Sequence, residues 1–266
     1  MDQHYKIGFA LSGGFIKGFA HLGAVQALYE EGIRPDIISG VSAGAFAGVF
    51  LADGKEPREV LRLFEEKEFG SFTKFSFRSR GGFMLLDQLY DFLYDNLSVR
   101  RIEELKIPLI VTSTNLDKGA VSHFSEGDIA PRVAASCTVP GIFTPIVIDG
   151  DRHLDGGVFM NLPVAPIRNM CEKVVAVNVS TIVNREELGS NIFSVLWRTY
   201  DLMSHSNAHH DRRMADILIE PRNLESYSNR ELGKAAEIFE SGYDTARKVL
   251  DQVKDIVFPV AQPGGD

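Results

Sequence analysis

Short, mostly apolar runs along the chain alternate with segments in which apolar residues recur every three or four positions. The first run spans residues 6–11 (KIGFAL), and the second spans residues 36–39, just before a serine turn. Runs without polar alternation are typical of parallel strands that are buried on both faces. The segment between them carries apolar side chains at helical spacing up to about residue 31, where Gly32 and Pro35 end the helix. This order predicts a parallel sheet covered by helices.

The rest of the chain continues the alternation of strands and helices. Residues 146–154 predict a hairpin, because Asp149-Gly150 is a favoured two-residue turn. The other predicted elements are strands at 107–114, 120–124, 174–179 and 216–220 and helices at 57–67, 86–97, 128–136, 191–213 and 231–257. No repeat, low-complexity block or linker divides the sequence. We therefore expect one domain over residues 1–266, with a helical C-terminal part from about residue 185.

One segment, residues 69–83, differs from the rest in composition. It combines five phenylalanines with Lys74, Arg78 and Arg80 and almost no acidic residues. Phenylalanines at alternate positions are compatible with a loop or strand that packs on the core. They are equally compatible with a cap, over about residues 69–97, whose aromatic and cationic side chains meet a lipid surface or an acyl chain. The sequence leaves both interpretations open.

Charge and cysteine content narrow the classes of function. The net charge is −8, with 28 basic and 36 acidic residues, which argues against a general nucleic-acid binder. Two cysteines, Cys137 and Cys171, form neither a disulfide framework nor a zinc site, and no metal or cofactor is predicted. The first residues lack the pattern of a signal peptide, and the longest apolar run, residues 41–52, is too short to span a bilayer. We expect a cytoplasmic protein and leave open a peripheral contact with the inner face of the membrane; the oligomeric state is not indicated.

The stretch Gly40-Val41-Ser42-Ala43-Gly44 follows the second predicted strand and begins a small-residue helix. In the Gly-x-Ser-x-Gly pattern, a nucleophilic serine occupies a sharp strand-to-helix turn, and the glycines avoid steric clashes on either side. Free N–H groups at the helix N-terminus favour developing negative charge near Ser42. A turn that merely starts a helix is the alternative interpretation.

The loop Ser12-Gly13-Gly14-Phe15-Ile16-Lys17-Gly18 follows the first strand and therefore emerges at the same sheet edge as the serine turn. Its glycines allow backbone N–H groups to point at an oxyanion. A P-loop does not fit, because Lys17 precedes the last glycine. A dinucleotide-binding fingerprint fits poorly, since the serine turn occupies the strand end where that fold needs an acid.

The base that would activate Ser42 is the next question. Asp155 follows a predicted strand and precedes two glycines, and a partly desolvated carboxylate can act as a base. His153 lies two residues earlier; we expect it to be exposed in the hairpin, although a supporting role is an alternative. The other candidates are less suitable, because His21 is expected to pack inside the first helix and His205, His209 and His210 all lie in one polar helical stretch. A Cys137 nucleophile is a weaker alternative.

Together, the glycine loop, the serine turn and Asp155-Gly156-Gly157 resemble the patatin-like phospholipase family in its bacterial single-domain form. The resemblance covers about residues 6–179 and includes the segments 137–143 and 161–164. It implies a three-layer α/β/α fold with a central, mostly parallel sheet. It also implies a Ser-Asp dyad without histidine, in which Ser42 is the nucleophile and Asp155 the base. In that scheme Gly13 and Gly14 form the oxyanion hole, and Lys17 contributes to the anion-binding site.

The family resemblance implies a serine acyl hydrolase that cleaves acyl esters of phospholipids or related lipids through an acyl-enzyme, without a metal. Phe15 stands where the family has a third glycine, and we expect a phenylalanine not to adopt positive φ readily. The alternative is therefore a lipid-binding or regulatory module with low turnover; equally, Phe15 could line an acyl pocket. Lys17 replaces the more usual arginine and keeps the charge without the bidentate fork. A third hypothesis is a triad esterase that uses a C-terminal histidine.

Overall fold

The computed structural model describes residues 4–66, 82–180, 182, 192–222, 224, 227 and 232–258. Its strands are β1 (Tyr5–Leu11), β2 (Ile37–Val41), β3 (Leu109–Asn115), β4 (Ala120–Phe124), β5 (Ile146–Ile148), β6 (Asp151–Asp155), β7 (Cys171–Val177) and β8 (Ile217–Ile219). Its α-helices are α1 (Phe19–Glu30), α2 (Ala43–Ala52), α3 (Pro57–Glu66), α4 (Gly82–Asn96), α5 (Ile129–Ser136), α6 (Ala165–Arg168), α7 (Ile192–Arg212) and α8 (Ala235–Val257). Most of these bounds lie within a few residues of the predicted ones.

The strands form one mixed, mostly parallel sheet in the order β5-β6-β3-β2-β1-β7-β8, with β4 pairing with β3. The strands β3, β2, β1, β7 and β8 are parallel to one another, as the buried apolar runs predicted. The hairpin of β5 and β6 joins antiparallel to β3, and β4 does the same. The carboxyl ends of the parallel strands therefore lie together on one side of the sheet, which is where ligands bind in open α/β folds.

Helices cover both faces of the sheet. Phe9 and Leu11 of β1 point into a larger core formed with α1, α2, α3, α4, α5 and α8, whereas Ala10 points into a smaller core. The smaller core includes Ile167 of α6 and Ala208 of α7. Since successive strand residues face opposite sides, these two cores lie on opposite faces of the sheet. The predicted three-layer α/β/α architecture is confirmed.

The phenylalanine-rich segment is described only in part. Residues 67–81 lie outside the described residues, so the two interpretations of that stretch stay predictions. The helix that follows is α4, which starts at Gly82 rather than at the predicted residue 86. Phe92 and Leu93 of α4 are buried in the larger core, and the Phe92 ring stacks on Phe46 at 5.9 Å. Phe92 and Leu93, which lie within the proposed cap, thus pack on the core.

Across the described ranges, none of the helices combines the length and the apolar content that crossing a bilayer requires.

Candidate active site

Ser42 occupies a strained turn between β2 and α2. Its φ of 51° and ψ of −119° place a non-glycine residue in a sparsely populated conformation, as expected for a nucleophile elbow. The flanking glycines are required by close approach: a Cβ on Gly40 would lie 2.6 Å from the Gly44 carbonyl oxygen, and one on Gly44 would overlap the Leu11 carbonyl. The Ser42 N–H donates to Ser136 Oγ at 2.8 Å, which fixes the elbow against α5.

Asp155 lies beside Ser42 because β2 and β6 pair with consecutive parts of β3 on the same side of that strand. The pairing of β2 with β3 ends at Val41 opposite Thr112, and the pairing of β6 begins at Asp155 opposite Ser113. Since β4 pairs with this same part of β3, it occupies the other edge, so β6 continues in line with β2. The predicted nucleophile and base are therefore brought together at the end of β2.

Burial determines the protonation of Asp155. The residue has no exposed surface, and this desolvation raises its pKa to about 6. Hydrogen bonding from Ser42, from the Gly157 N–H at 2.8 Å to Oδ1, and from Tyr200 opposes the rise. Among the described residues, Oδ2 has no hydrogen-bond partner and so keeps its lone pairs for a proton. Hydrogen bonds in active sites commonly tighten when substrate binds.

The glycine loop runs beside the elbow, but its N–H groups are not equivalent. The Gly13 N–H donates to the Asn161 carbonyl at 3.0 Å and is thus occupied by a protein acceptor. The N–H groups of Gly14 and Phe15 have no acceptor within the described part of the chain. An ideal Cβ on Gly13 would lie 3.4 Å from Ser42 Cβ, so the loop reaches the nucleophile. The oxyanion-hole role of Gly13 and Gly14 stays a prediction, with the Gly13 N–H already bonded to a protein acceptor.

Phe15 adopts the positive φ that the sequence analysis did not expect of it. Its φ is 57°, in the left-handed region that a third glycine would favour. Its ring packs edge-on against Trp197 of α7, with centroids 5.3 Å apart, and 39% of the residue is exposed. The expectation was wrong because this aromatic contact offsets part of the backbone strain. The loop therefore keeps a backbone conformation that glycine would adopt.

Lys17 lies in the 3₁₀ turn Phe15–Gly18 that closes the glycine loop, where its N–H donates to the Gly14 carbonyl at 3.2 Å. Its side chain is partly buried. An anion-binding role for Lys17 stays a prediction.

The histidines have other partners. His21 is buried, and Nε2 lies 2.8 Å from the Ser12 carbonyl oxygen, as expected for a packed residue; burial lowers its pKa to about 4. The expected exposure of His153 is wrong. Its side chain packs between strands, with Nδ1 2.9 Å from Ser113 Oγ and the ring 5.3 Å from Phe124. His205 Nδ1 lies 3.2 Å from the Ser180 carbonyl oxygen.

Cys137 lies close to Ser42 and Asp155, but its thiol does not have the properties of a nucleophile. Burial, and next the charge of Asp155, raise the pKa of its thiol, which hydrogen-bonds with Ser42. A thiol with a raised pKa stays protonated at neutral pH, and the thiolate is the reactive form. Among the residues that the structure describes, no group of three or more His, Cys, Asp or Glu side chains could hold a metal ion.

Tyr200 was missed by the sequence reasoning. It lies on α7, in the part of the chain where the family resemblance is weak, and its hydroxyl faces Asp155. The sequence did carry a signal, because four polar residues recur at helical spacing and so share one face of α7. They are Tyr200, Ser204, Asn207 and Asp211. That stripe looks like an ordinary solvent-exposed face in the sequence.

Comparisons with known proteins identify the family to which the chain belongs. A model of the patatin-like phospholipase family matches residues 9–168. Lysophospholipase nte1 of Aspergillus fumigatus is 25% identical over 281 residues, which cover 93% of this chain and 18% of the relative. An uncharacterized NTE family protein of Mycobacterium tuberculosis is 29% identical over 187 residues, covering 66% of this chain and 49% of that protein. The chain thus spans about a fifth to a half of the length of these relatives.

A solved structure shares the fold. VipD from Legionella pneumophila superposes with a TM-score of 0.54 at 17% identity, over 93% of this chain and 67% of that one.

Proposed function

Because the chain belongs to the patatin-like phospholipase family, we propose that it is a serine acyl hydrolase acting on acyl esters of phospholipids or related lipids. The observation that carries the proposal is the meeting of Ser42, on its strained elbow, with the buried Asp155 at the end of β2. A carboxylate with a pKa of about 6 is ionised at neutral pH and still basic enough to accept a proton.

The proposed reaction has two steps. Ser42 Oγ attacks the acyl carbonyl while its proton passes to Asp155, and the N–H groups of Gly14 and Phe15 stabilise the oxyanion. The tetrahedral intermediate collapses to an acyl-Ser42 ester, and the leaving alcohol takes the proton from Asp155. Water then attacks the ester, with Asp155 again accepting a proton. The fatty acid leaves, and the proton returns to Ser42.

A lipid substrate requires access to a lipid surface, and we include a peripheral docking face in the proposal. Exposed apolar side chains line the N-terminal half of α7, among them Ile192, Val195 and Leu196. Phe15 and Ile142, both about 40% exposed, extend this apolar face towards the glycine loop. Clusters of this kind mark membrane or partner contact sites. We assign the lipid surface as the partner, because the face borders the proposed acyl-ester site.

The non-enzymatic alternative depended on Phe15. That argument assumed that a phenylalanine distorts the glycine loop, whereas Phe15 holds a positive φ of 57°. The triad alternative requires a C-terminal histidine beside Ser42, but His209 and His210 are exposed and His205 Nδ1 lies 3.2 Å from the Ser180 carbonyl oxygen. We therefore favour the dyad hydrolase over both.

The test is hydrolysis of a fluorogenic phospholipid and the corresponding lysophospholipid. Ser42→Ala and Asp155→Asn should each lower kcat by about three orders of magnitude or more, as losses of triad members do in serine hydrolases. Ser206→Ala, at an exposed serine on α7, is the matched control and should leave the rate unchanged. An inactive wild type would support the lipid-binding module. Full activity of Asp155→Asn together with loss in His209→Ala would support the triad.

A further inference from the structure

Helix α7 presents a continuous polar stripe to the chain segment that follows Asp155. Ser204 Oγ and Asn207 Nδ2 both donate to the Gly157 carbonyl at 2.9 Å. Asn207 also donates to the Val158 carbonyl at 3.1 Å, and its Oδ1 accepts the Asn161 N–H at 2.7 Å. Two side chains of one helix thus hold the backbone of this segment at several points.

Asp211 extends the same stripe by one more turn. Its Oδ1 accepts the N–H groups of Val164 at 3.0 Å and Ala165 at 2.8 Å, where α6 begins. A carboxylate at this place satisfies N–H groups that lack partners within the helix. Hydrogen bonds from α7 therefore hold the segment that follows Asp155, from Gly157 to Ala165.

Tyr200 is the member of the stripe that reaches the carboxyl group itself. An ideal Cβ on Gly157 would lie 2.5 Å from the Tyr200 hydroxyl and 3.1 Å from Asp155 Oδ1, so both atoms approach the space that glycine leaves open. The ring of Tyr200 packs against Trp197 at 6.2 Å, and Trp197 packs against Phe15. Burial raises the pKa of Tyr200 well above its usual value, which keeps the hydroxyl protonated as a donor.

We propose that Tyr200 is a positioning residue that donates a hydrogen bond to the ionised carboxylate of Asp155 and thereby keeps this base charged and directed at Ser42. The proposal rests on the proposed function for its kinetic consequence. Tyr200 lies beyond residues 9–168, to which the family model applies, so it is a property of this chain's own C-terminal helix.

The proposal predicts that Tyr200→Phe shifts the acid limb of the pH–rate profile, the range in which the rate rises with pH, to higher pH. A lost donor to the ionised form raises the pKa of Asp155, so the acid limb of kcat/KM should move up by about one pH unit. At pH values below the pKa of Asp155, kcat/KM of the variant should be about tenfold lower than that of the wild type. On the alkaline plateau it should lie within about threefold of the wild type. The other titratable groups that face Asp155, Tyr200 itself and Cys137, have raised pKa values and are neutral in this range.

Tyr243→Phe is the matched control. It removes another tyrosine–carboxylate hydrogen bond, from Tyr243 to Glu30 at 2.6 Å, between α8 and α1. Its acid limb should coincide with that of the wild type.

A second readout does not depend on turnover: NMR titration of the Asp155 carboxyl carbon, assigned with Asp155→Asn. The wild type should titrate near pH 6 and Tyr200→Phe about one unit higher. The same spectra report whether the variant is folded. Equal titrations, with a uniform loss of rate at all pH values, would overturn the positioning role. An inactive wild type whose titration shifts in Tyr200→Phe would refute the proposed function and support the positioning role.

Discussion

Phe15 combines an unfavourable backbone with a favourable side-chain contact. A non-glycine residue at positive φ costs about 1–3 kcal/mol, and the edge-on pair with Trp197 offsets about 0.5–1.5 kcal/mol. The contact therefore offsets part of the backbone cost. The residue therefore keeps a glycine-like loop conformation and at the same time ties the loop to α7.

The residue-scale prediction concerns Phe15→Gly. Glycine adopts the same φ without strain, so hydrolysis should stay within about threefold of wild type and the free energy of unfolding within about 1 kcal/mol. Phe15→Val is the control, because a β-branched residue tolerates positive φ poorly; it should lose stability and activity together. Steady-state rates and urea unfolding measure both. An inactive but folded Phe15→Gly would show that the ring, rather than the backbone, is needed.

Some residues of the site were predictable from the sequence and others were not. Ser42 and Asp155 were predicted because each follows a strand and is flanked by glycine, which is local information. The use of the Gly13 N–H was not predictable in this way, since its acceptor is the carbonyl of Asn161, far along the chain. The burial of His153 likewise depends on Ser113 and Phe124, which come from other strands.

At the scale of elements, α7 connects the proposed chemistry with the proposed lipid surface. Its polar stripe forms hydrogen bonds with the segment after Asp155. Its exposed face carries Val195, Leu196 and Leu202, which are 43–46% exposed. Helical spacing predicted that α7 exists, but not that its polar residues point inward. In a sequence, polar side chains that bind another segment look the same as side chains that face water.

The element-scale prediction is a loss of vesicle binding. Val195→Asp and Leu196→Asp place charges on the face that would enter the lipid interface, so co-sedimentation with phosphatidylcholine vesicles should fall by about tenfold. Ile256→Asp is the matched control, because Ile256 is 78% exposed on α8, which belongs to the other helical layer. Hydrolysis of a short-chain, water-soluble ester should be unchanged in all three. Binding that persists in both α7 variants would contradict this docking face.

At the scale of the whole molecule, the order of strands and helices was predictable because hydrophobic periodicity is a local signal. The arrangement that matters for function was not. Asp155 reaches Ser42 because β6 takes over the edge of β3 where β2 ends, and that pairing joins strands far apart in sequence. The family resemblance predicted the meeting of the two residues, and the sheet topology supplies its physical reason.

The pH dependence follows from the state of Asp155. The base must be ionised to accept the proton of Ser42, and burial places its pKa at about 6. Below pH 6 the carboxyl group is increasingly protonated, so the reaction rate should fall by about tenfold for each further pH unit. Above it, the rate should reach a plateau.

The most direct test of the Ser42–Asp155 pair is the rate at which a fluorophosphonate labels the protein between pH 4 and 8, followed by intact mass. We predict a single adduct on Ser42, an acid limb centred near pH 6, and a rate in Asp155→Asn at least about 100-fold lower on the plateau. Labelling of Asp155→Asn at the wild-type rate, or no labelling of Ser42 at any pH, would contradict the account.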